Sequence, residues 1–152
     1  NFILNLSFLI PIKLKFGMKT HKVNYKLISF IVGFLVWLSA TVLFRVAGHY
    51  FFIVDNALVM AVLYVILIPA LGLISTSVFN KLNLNNLESI KSAAIMVLPG
   101  MLLDTACIQF FEDLFPNMPE TYSKTFASWL MFAYSIVLIF GLLRKKQKKE
   151  IE

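Results

Sequence analysis

Few residues of this 152-residue chain could do chemistry, and most of them lie near two positions. Asp104 is the one acidic residue well inside a long apolar stretch, and Arg45 and His49 follow another such stretch. A carboxylate at the centre of a membrane helix costs about 2.5–3.5 kcal/mol, so it needs a partner or a function. The single cysteine, Cys107, can form neither an internal disulfide nor a CxxC pair.

Asp104 is predicted to belong to a polar cluster near one end of the apolar stretches. At 1.5 Å per helical residue, it lies about 10 Å from the end of its own stretch at Phe111. Counted in the same way, residues of the two preceding stretches reach a similar depth. The predicted cluster consists of Arg45, Asp104, Tyr64, Thr41 and His49.

Two interpretations of Asp104 remain open and give it opposite charges. Arg45 is the expected ion partner, since a guanidinium stays charged and can hold a carboxylate through two parallel hydrogen bonds. If Arg45 instead extends to the aqueous interface, Asp104 is poorly solvated, which favours its neutral form and makes it a proton-binding group.

The elements that must position these residues are four apolar stretches, at 27–44, 57–79, 92–111 and 125–143. The chain is 59% hydrophobic and 14% charged, against about 25% charged in soluble domains. Each stretch has roughly the 20 residues that a membrane helix needs, and none has a polar face at helical spacing. The sequence predicts an all-α, transmembrane, up-and-down four-helix bundle.

The domain organisation follows from these stretches. A basic N-terminal segment (1–26) precedes the membrane domain (27–143), and a basic tail (144–152) follows it. Residues 1–17 have two interpretations, translated upstream sequence with a true start at Met18, or a short interfacial helix.

The distribution of basic residues predicts the orientation of the bundle. Most of them fall before the first helix, around the middle loop or after the last helix, which places both termini in the cytoplasm by the positive-inside rule. The expected location is the bacterial inner membrane. Although the net charge is +6, the position of the tail beside a helix predicts anionic lipid headgroups rather than nucleic acid as its partner. These anchors are Arg144, Lys145, Lys146, Lys148 and Lys149.

Helix-breaking residues fall at similar depths in the second and third helices. Pro69 lies about 15 Å from Phe79, and Pro99, followed by Gly100, lies about 12 Å from Lys91. Paired breaks are typical of transporter substrate sites, but proline and glycine are also frequent in membrane helices and allow close packing.

Two local patterns concern helix ends. Asn85 and Glu88 are spaced as a capping box, which predicts the start of a helix.

Aromatic residues concentrate near the predicted outer face and are typical of an interfacial belt. They are Tyr50, Phe51, Phe52, Phe110, Phe111, Phe115, Tyr122, Phe126 and Trp129.

No motif predicts catalysis, a cofactor or a metal. The chain has no GxSxG, HExxH or GxxxxGK[ST] motif. His21 and His49 fall on opposite predicted sides of the membrane, so they cannot share a metal ion.

Three segments resemble a family of short bacterial four-helix membrane proteins that is known only as a domain of unknown function. They are Phe34–Trp37 continuing to Phe44–Phe52, Leu98–Asp104, and Phe110–Asn117. The resemblance covers about 27–143 and implies an integral membrane location, without implying a substrate.

Two functions from different classes are therefore expected. The first is a non-enzymatic structural or accessory component of the membrane, in which Arg45 and Asp104 form a structural pair. The second is a small-solute or proton-coupled transporter that uses Asp104. The bilayer is the expected partner, and a second copy or another membrane protein stays open as a further one.

Overall fold

Helices make up nearly all of the chain that the computed structural model describes, which is residues 24–144. The predicted all-α class is confirmed. In chain order the helices are α1 (Tyr25–Phe51), α2 (Ala57–Lys81), α3 (Asn86–Gln109), the short α4 (Phe111–Leu114) and α5 (Ser123–Leu142), with a 3₁₀ turn at Glu120–Tyr122 before α5.

The two interpretations of residues 1–17 and the proposed start at Met18 lie outside the described residues. The same holds for most of the basic tail, including Lys145, Lys146, Lys148 and Lys149.

Asparagine side chains fix where two of the helices begin. The Asn56 side chain accepts hydrogen bonds from the amides of Leu58 and Val59 at 3.1 and 3.2 Å. The Asn85 side chain accepts from the amide of Glu88 at 2.9 Å, and the Glu88 carboxylate accepts from the amide of Asn85 at 3.1 Å. The predicted capping box is therefore confirmed, because both of its reciprocal bonds are present.

The helices extend beyond the apolar stretches that predicted them. Helix α1 continues past residue 44 to Phe51, so Arg45 and His49 lie on the helix instead of in a loop. Helix α3 begins at Asn86, where the capping box predicts a helix start, and thus before the apolar stretch that begins at residue 92. A charged side chain at a helix end leaves the backbone hydrogen bonds intact, so the loss of hydropathy does not mark the end of the helix.

The long helices alternate in direction, as predicted, but they do not pack in chain order. The Ser29 and Ser92 hydroxyls, 2.6 Å apart, join the starts of α1 and α3. Arg144, just after α5, donates to the Asn80 side chain at the end of α2 and to the Leu84 carbonyl just before α3. Packing runs α1 to α3 to α5 to α2, and α1 has little contact with α2.

The two ends of the bundle differ. At the end that carries α4, hereafter the α4 end, six aromatic side chains form a buried core: Phe44, Phe52, Phe111, Phe115, Phe126 and Trp129. Edge-on contacts join Phe44 to Phe52 and to Phe126, with ring centroids 5.5 and 4.8 Å apart. The predicted interfacial belt is wrong for five of its members, which are buried because the α3–α5 connection covers this end: Phe52, Phe111, Phe115, Phe126 and Trp129. Tyr50 and Phe110 are exposed, as a belt requires. The opposite end, which holds Arg144, is hereafter the Arg144 end.

The outer surface of the bundle has the character of a lipid-facing surface. Helices α1, α2 and α3, and the segment Glu120–Leu142, are each long and apolar enough to cross a membrane. Large apolar side chains such as Leu58, Leu73 and Leu102 are exposed on them. A soluble protein rarely exposes apolar surface of this extent, so the molecule is a membrane protein.

Candidate functional site at Asp104

Asp104 is buried on α3, with 4% of its surface exposed, and side chains from two other helices hold it. The Trp37 indole on α1 donates a hydrogen bond from Nε1 to Asp104 Oδ1 at 2.7 Å. The Tyr134 hydroxyl on α5 donates to Asp104 Oδ2. Three helices therefore meet at one carboxyl group.

Two glycines bring these helices close enough for the contacts. A Cβ added to Gly33 of α1 would lie 2.0 Å from the Met96 carbonyl oxygen of α3, so α1 and α3 touch backbone to backbone. A Cβ on Gly100, one turn before Asp104, would lie 2.7 Å from the Tyr134 hydroxyl. Glycine at these positions permits the close helix packing that is common in membranes.

The hydrogen bonds around Asp104 suit either of its two charge states. An ionised carboxyl accepts at both oxygens, which matches the donors Trp37 and Tyr134. When the carboxyl is protonated it can donate to the Tyr134 oxygen, because a hydroxyl both donates and accepts. The site can therefore take up or release a proton without losing a hydrogen bond.

Asp104 faces a central cavity of about 130 Å³ that all four long helices line. The lining is almost entirely apolar, and it includes Trp37 and Phe44 of α1 and Phe126, Trp129 and Tyr134 of α5. Among the lining residues, Asp104 and Tyr134 alone are titratable. The cavity thus combines one carboxyl group with a wall of aromatic rings.

The predicted ion pair between Arg45 and Asp104 is wrong. The Arg45 guanidinium donates from Nη1 to the backbone carbonyls of Leu114 and Asp113, at 2.7 and 3.3 Å. These carbonyls belong to the last residues of α4, where a helix end carries partial negative charge. Helix α1 continues through Arg45 towards the connection between α3 and α5. The Arg45 side chain therefore contacts α4 and not Asp104.

Only part of the predicted polar cluster comes together at the cavity. Thr41 lines it, but its hydroxyl donates to the Trp37 carbonyl of its own helix at 3.0 Å. Tyr64 lies 3.4 Å from the Ser128 hydroxyl and joins α2 to α5. His49 Nδ1 lies 3.0 Å from Asn117 Nδ2, at the α4 end.

The predicted helix breaks do not interrupt the helices. Helix α2 is continuous through Pro69, and α3 is continuous through Pro99 and Gly100. Pro69 is exposed and Pro99 is buried, and neither lines the cavity. Each proline removes one backbone hydrogen bond, which the rest of a long helix tolerates. Gly100 does line the cavity, where it makes room for Tyr134.

Arg144, predicted to anchor the tail to lipid headgroups, is bound by the protein itself. Its guanidinium donates to the Asn80 side chain at 2.8 Å and to the Leu84 and Phe79 carbonyls at 3.3 and 3.4 Å. It also lies over the Phe79 ring, 5.8 Å from the centroid. Arg144 therefore fastens the end of α5 to the connection between α2 and α3.

Trp37 and Tyr134 were not predicted as the partners of Asp104. A signal was available, because both residues lie inside apolar stretches and carry a polar hydrogen that must find an acceptor when buried. Two unpartnered groups on the cavity wall were not predicted either, the Ser75 hydroxyl and the Trp129 indole N–H. Within residues 24–144, no group of three or more His, Cys, Asp or Glu side chains could hold a metal ion.

The fold and the site define a small all-α membrane protein with a buried carboxyl group beside an apolar cavity. The chain belongs to the family described as "Family of unknown function (DUF5367)", whose model matches residues 51–148. This match includes α2, α3, α4 and α5, and therefore both Asp104 and Tyr134, whereas Trp37 lies outside it. No curated protein and no solved structure matches the chain significantly.

Proposed function

We propose that this protein is a non-enzymatic transporter of the bacterial inner membrane that moves a small solute in a cycle coupled to proton binding at Asp104. The observation that carries the proposal is the buried carboxyl on the cavity wall, held by two neutral donors. Among the described residues, no Lys, Arg or His forms an ion pair with it. Uncompensated charge in a membrane interior is costly, so a proton or another cation relieves that cost.

The charges at the two ends support an orientation with both termini in the cytoplasm. Lys81, Lys91 and Arg144 lie at the Arg144 end, and the lysines of the tail follow directly. The α4 end carries Arg45 and Lys124 together with four acidic residues, namely Asp55, Glu112, Asp113 and Glu120. Cytoplasmic loops accumulate basic residues. The tail lysines would then contact anionic lipid headgroups.

A structural or accessory role is the second candidate, and a different property of Asp104 supports it. The two oxygens of this carboxyl join α1 and α5 to α3 through Trp37 and Tyr134. A buried group that connects three helices can be kept for stability alone. In that case Asp104 would hold one charge state throughout, and a second copy or another membrane protein would be the partner.

A pH titration of tryptophan fluorescence separates the two candidates. The chain has two tryptophans, Trp37 and Trp129, and both line the cavity. Over about pH 4 to 9, which covers carboxyl and histidine groups, we expect the wild-type emission to change in one transition as Asp104 binds a proton. This transition should be absent in Asp104→Asn and unchanged in Asp113→Asn, an exposed carboxyl at the α4 end.

Transport itself is measured in liposomes with an imposed pH gradient, and a pH-sensitive dye inside them reports the internal pH. Wild type and Asp113→Asn should dissipate the gradient faster than Asp104→Asn. If the wild type lacks an Asp104-dependent transition, and Asp104→Asn only lowers the unfolding temperature, the transport proposal is wrong and the structural role stands.

A further inference from the structure

The central cavity is large enough for a small organic group. Its volume of about 130 Å³ is close to that of a roughly 150 Å³ apolar cavity that binds benzene. The wall is predominantly apolar, and the polar groups on it are few. Cavities of this composition bind ligands with an apolar body and a small number of oriented polar atoms.

The cavity faces the membrane between α1 and α2. On its α3 and α5 walls every residue except the half-buried Tyr134 is buried, whereas Val36, Ala40 and Leu71 on the α1 and α2 walls are half-buried. An apolar groove between α1 and α2 continues from it, and Ile74 lines both the groove and the cavity. A ligand on this side meets hydrocarbon before it meets water, which favours a lipophilic molecule.

The charge of the cavity favours a cation. Asp104 provides a carboxyl group, and no lining residue provides a positive charge. The aromatic side chains on the wall, Trp37, Phe44, Phe126 and Trp129, present rings that attract a cation by the cation–π interaction. A carboxylate and aromatic rings in one apolar site complement an ammonium group far better than they complement an anion.

Two unsatisfied polar atoms on the wall indicate that the protein alone does not complete this site. The Ser75 hydroxyl is fully buried, and Trp129, at 9% exposure, has a buried indole N–H. Neither atom has a hydrogen-bond partner within residues 24–144, and both residues line the cavity. The Ser75 hydroxyl can accept a hydrogen bond from a bound ammonium group, whereas the Trp129 N–H only donates and needs an acceptor atom on the ligand.

We propose that the cavity binds a small lipophilic organic cation, with its ammonium group against Asp104 and its apolar body against the aromatic wall. This deepens the proposed function by naming the class of solute. Binding of the cation requires only that Asp104 can be ionised, so it can be measured without transport.

The test uses the full chain in lipid nanodiscs at about pH 7, where an alkylammonium is charged. The probes are benzylammonium and its neutral counterpart benzyl alcohol, and tryptophan emission reports binding. Asp104→Asn is a suitable variant, because its amide can accept from Trp37 and donate to the Tyr134 oxygen, which preserves both hydrogen bonds. Asp113→Asn is the matched control, since it removes an exposed carboxyl of the same charge.

We expect Asp104→Asn to weaken benzylammonium binding by about tenfold or more, as expected when a buried charge loses its partner. Binding of benzyl alcohol should stay within about twofold of wild type, a change of less than 0.5 kcal/mol. Ala40→Leu, which adds volume to the cavity wall, should weaken both probes.

Equal binding of benzylammonium to wild type and Asp104→Asn would overturn the inference and leave a charge-independent apolar pocket. Unchanged binding in Ala40→Leu would overturn it too, because the probe would then sit elsewhere. A protein that binds the cation but shows no proton flux would contradict only the transport function. One that titrates at Asp104 but binds no cation would contradict only the ligand class.

Discussion

Asp104 accepts hydrogen bonds from an indole and a phenol, and neither donor carries a formal charge. An arginine in their place would keep the carboxyl ionised over all ordinary conditions. Neutral donors satisfy its hydrogen-bonding capacity and leave its charge free to change. The difference matters for function, because only neutral donors let a proton or an organic cation bind to the carboxyl and leave it.

Tyr134→Phe tests the contribution of the phenol donor. Asp104 Oδ2 would lose its donor inside the bundle, which should lower the free energy of unfolding by about 1–3 kcal/mol. The matched control is Tyr64→Phe, since the Tyr64 hydroxyl makes only an exposed contact of 3.4 Å with Ser128. The control should change stability by less than about 0.5 kcal/mol. Both variants are measured by denaturant unfolding in detergent micelles, and equal effects would contradict the role given to Tyr134.

The importance of Asp104 could be predicted from sequence, but its partners could not. An acidic residue deep in an apolar stretch is visible to hydropathy alone. Several residues of other helices, including Arg45, Thr41 and Tyr64, lie at about the depth of Asp104. Depth does not tell which faces of two helices meet, so it cannot choose between them. Trp37 is 67 positions from Asp104, and only the packing of α1 on α3 decides their contact.

Local sequence determines where α2 and α3 begin. Both helices start after an asparagine whose side chain binds free backbone amides. Such caps act within one helical turn, so they could be predicted without the rest of the fold. The far end of α1 was harder to predict, since no proline or glycine stops the helix at the last apolar residue and it continues through Arg45 and His49.

Asn85→Ala removes the capping box of α3. We expect a loss of about 0.5–2 kcal/mol in the free energy of unfolding, the usual effect of replacing an asparagine cap by alanine. The control is Asn86→Ala at the next position, where the exposed side chain makes no cap. Because alanine favours helix, the control should be neutral or slightly stabilising. Comparable losses of unfolding free energy in the two variants would show that the cap itself does not stabilise the protein.

The whole molecule is organised by a packing order that differs from chain order. Helices α1 and α2 are consecutive and joined by a short connection, yet they make little contact with each other. Instead α1 packs on α3 through Ser29, Gly33 and Trp37. The space left on the α1–α2 side becomes the side of the cavity that faces lipid.

Gly33→Ala tests this packing. The added methyl would lie 2.0 Å from the Met96 carbonyl oxygen, a backbone atom that cannot move without moving α3. We expect the free energy of unfolding to fall by about 1–3 kcal/mol, as for other overpacked sites, and tryptophan emission to change as Trp37 shifts. Ser39→Ala, on an exposed face of α1, is the control. If Gly33→Ala resembled this control, the close contact of α1 with α3 would be wrong.

The class of the molecule, its four apolar helices, the capping box and one costly carboxyl were all predictable without a structure. Each of these depends on composition, on hydropathy over about 20 residues, or on contacts within one turn. The packing of the helices, in contrast, brings Arg45 to α4, Arg144 to the α2–α3 connection, and Trp37 and Tyr134 to Asp104. Apolar residues lie on all sides of the four long helices, so no amphipathic pattern tells which faces meet. The glycines that set the closest approaches have an effect only when a partner helix is present.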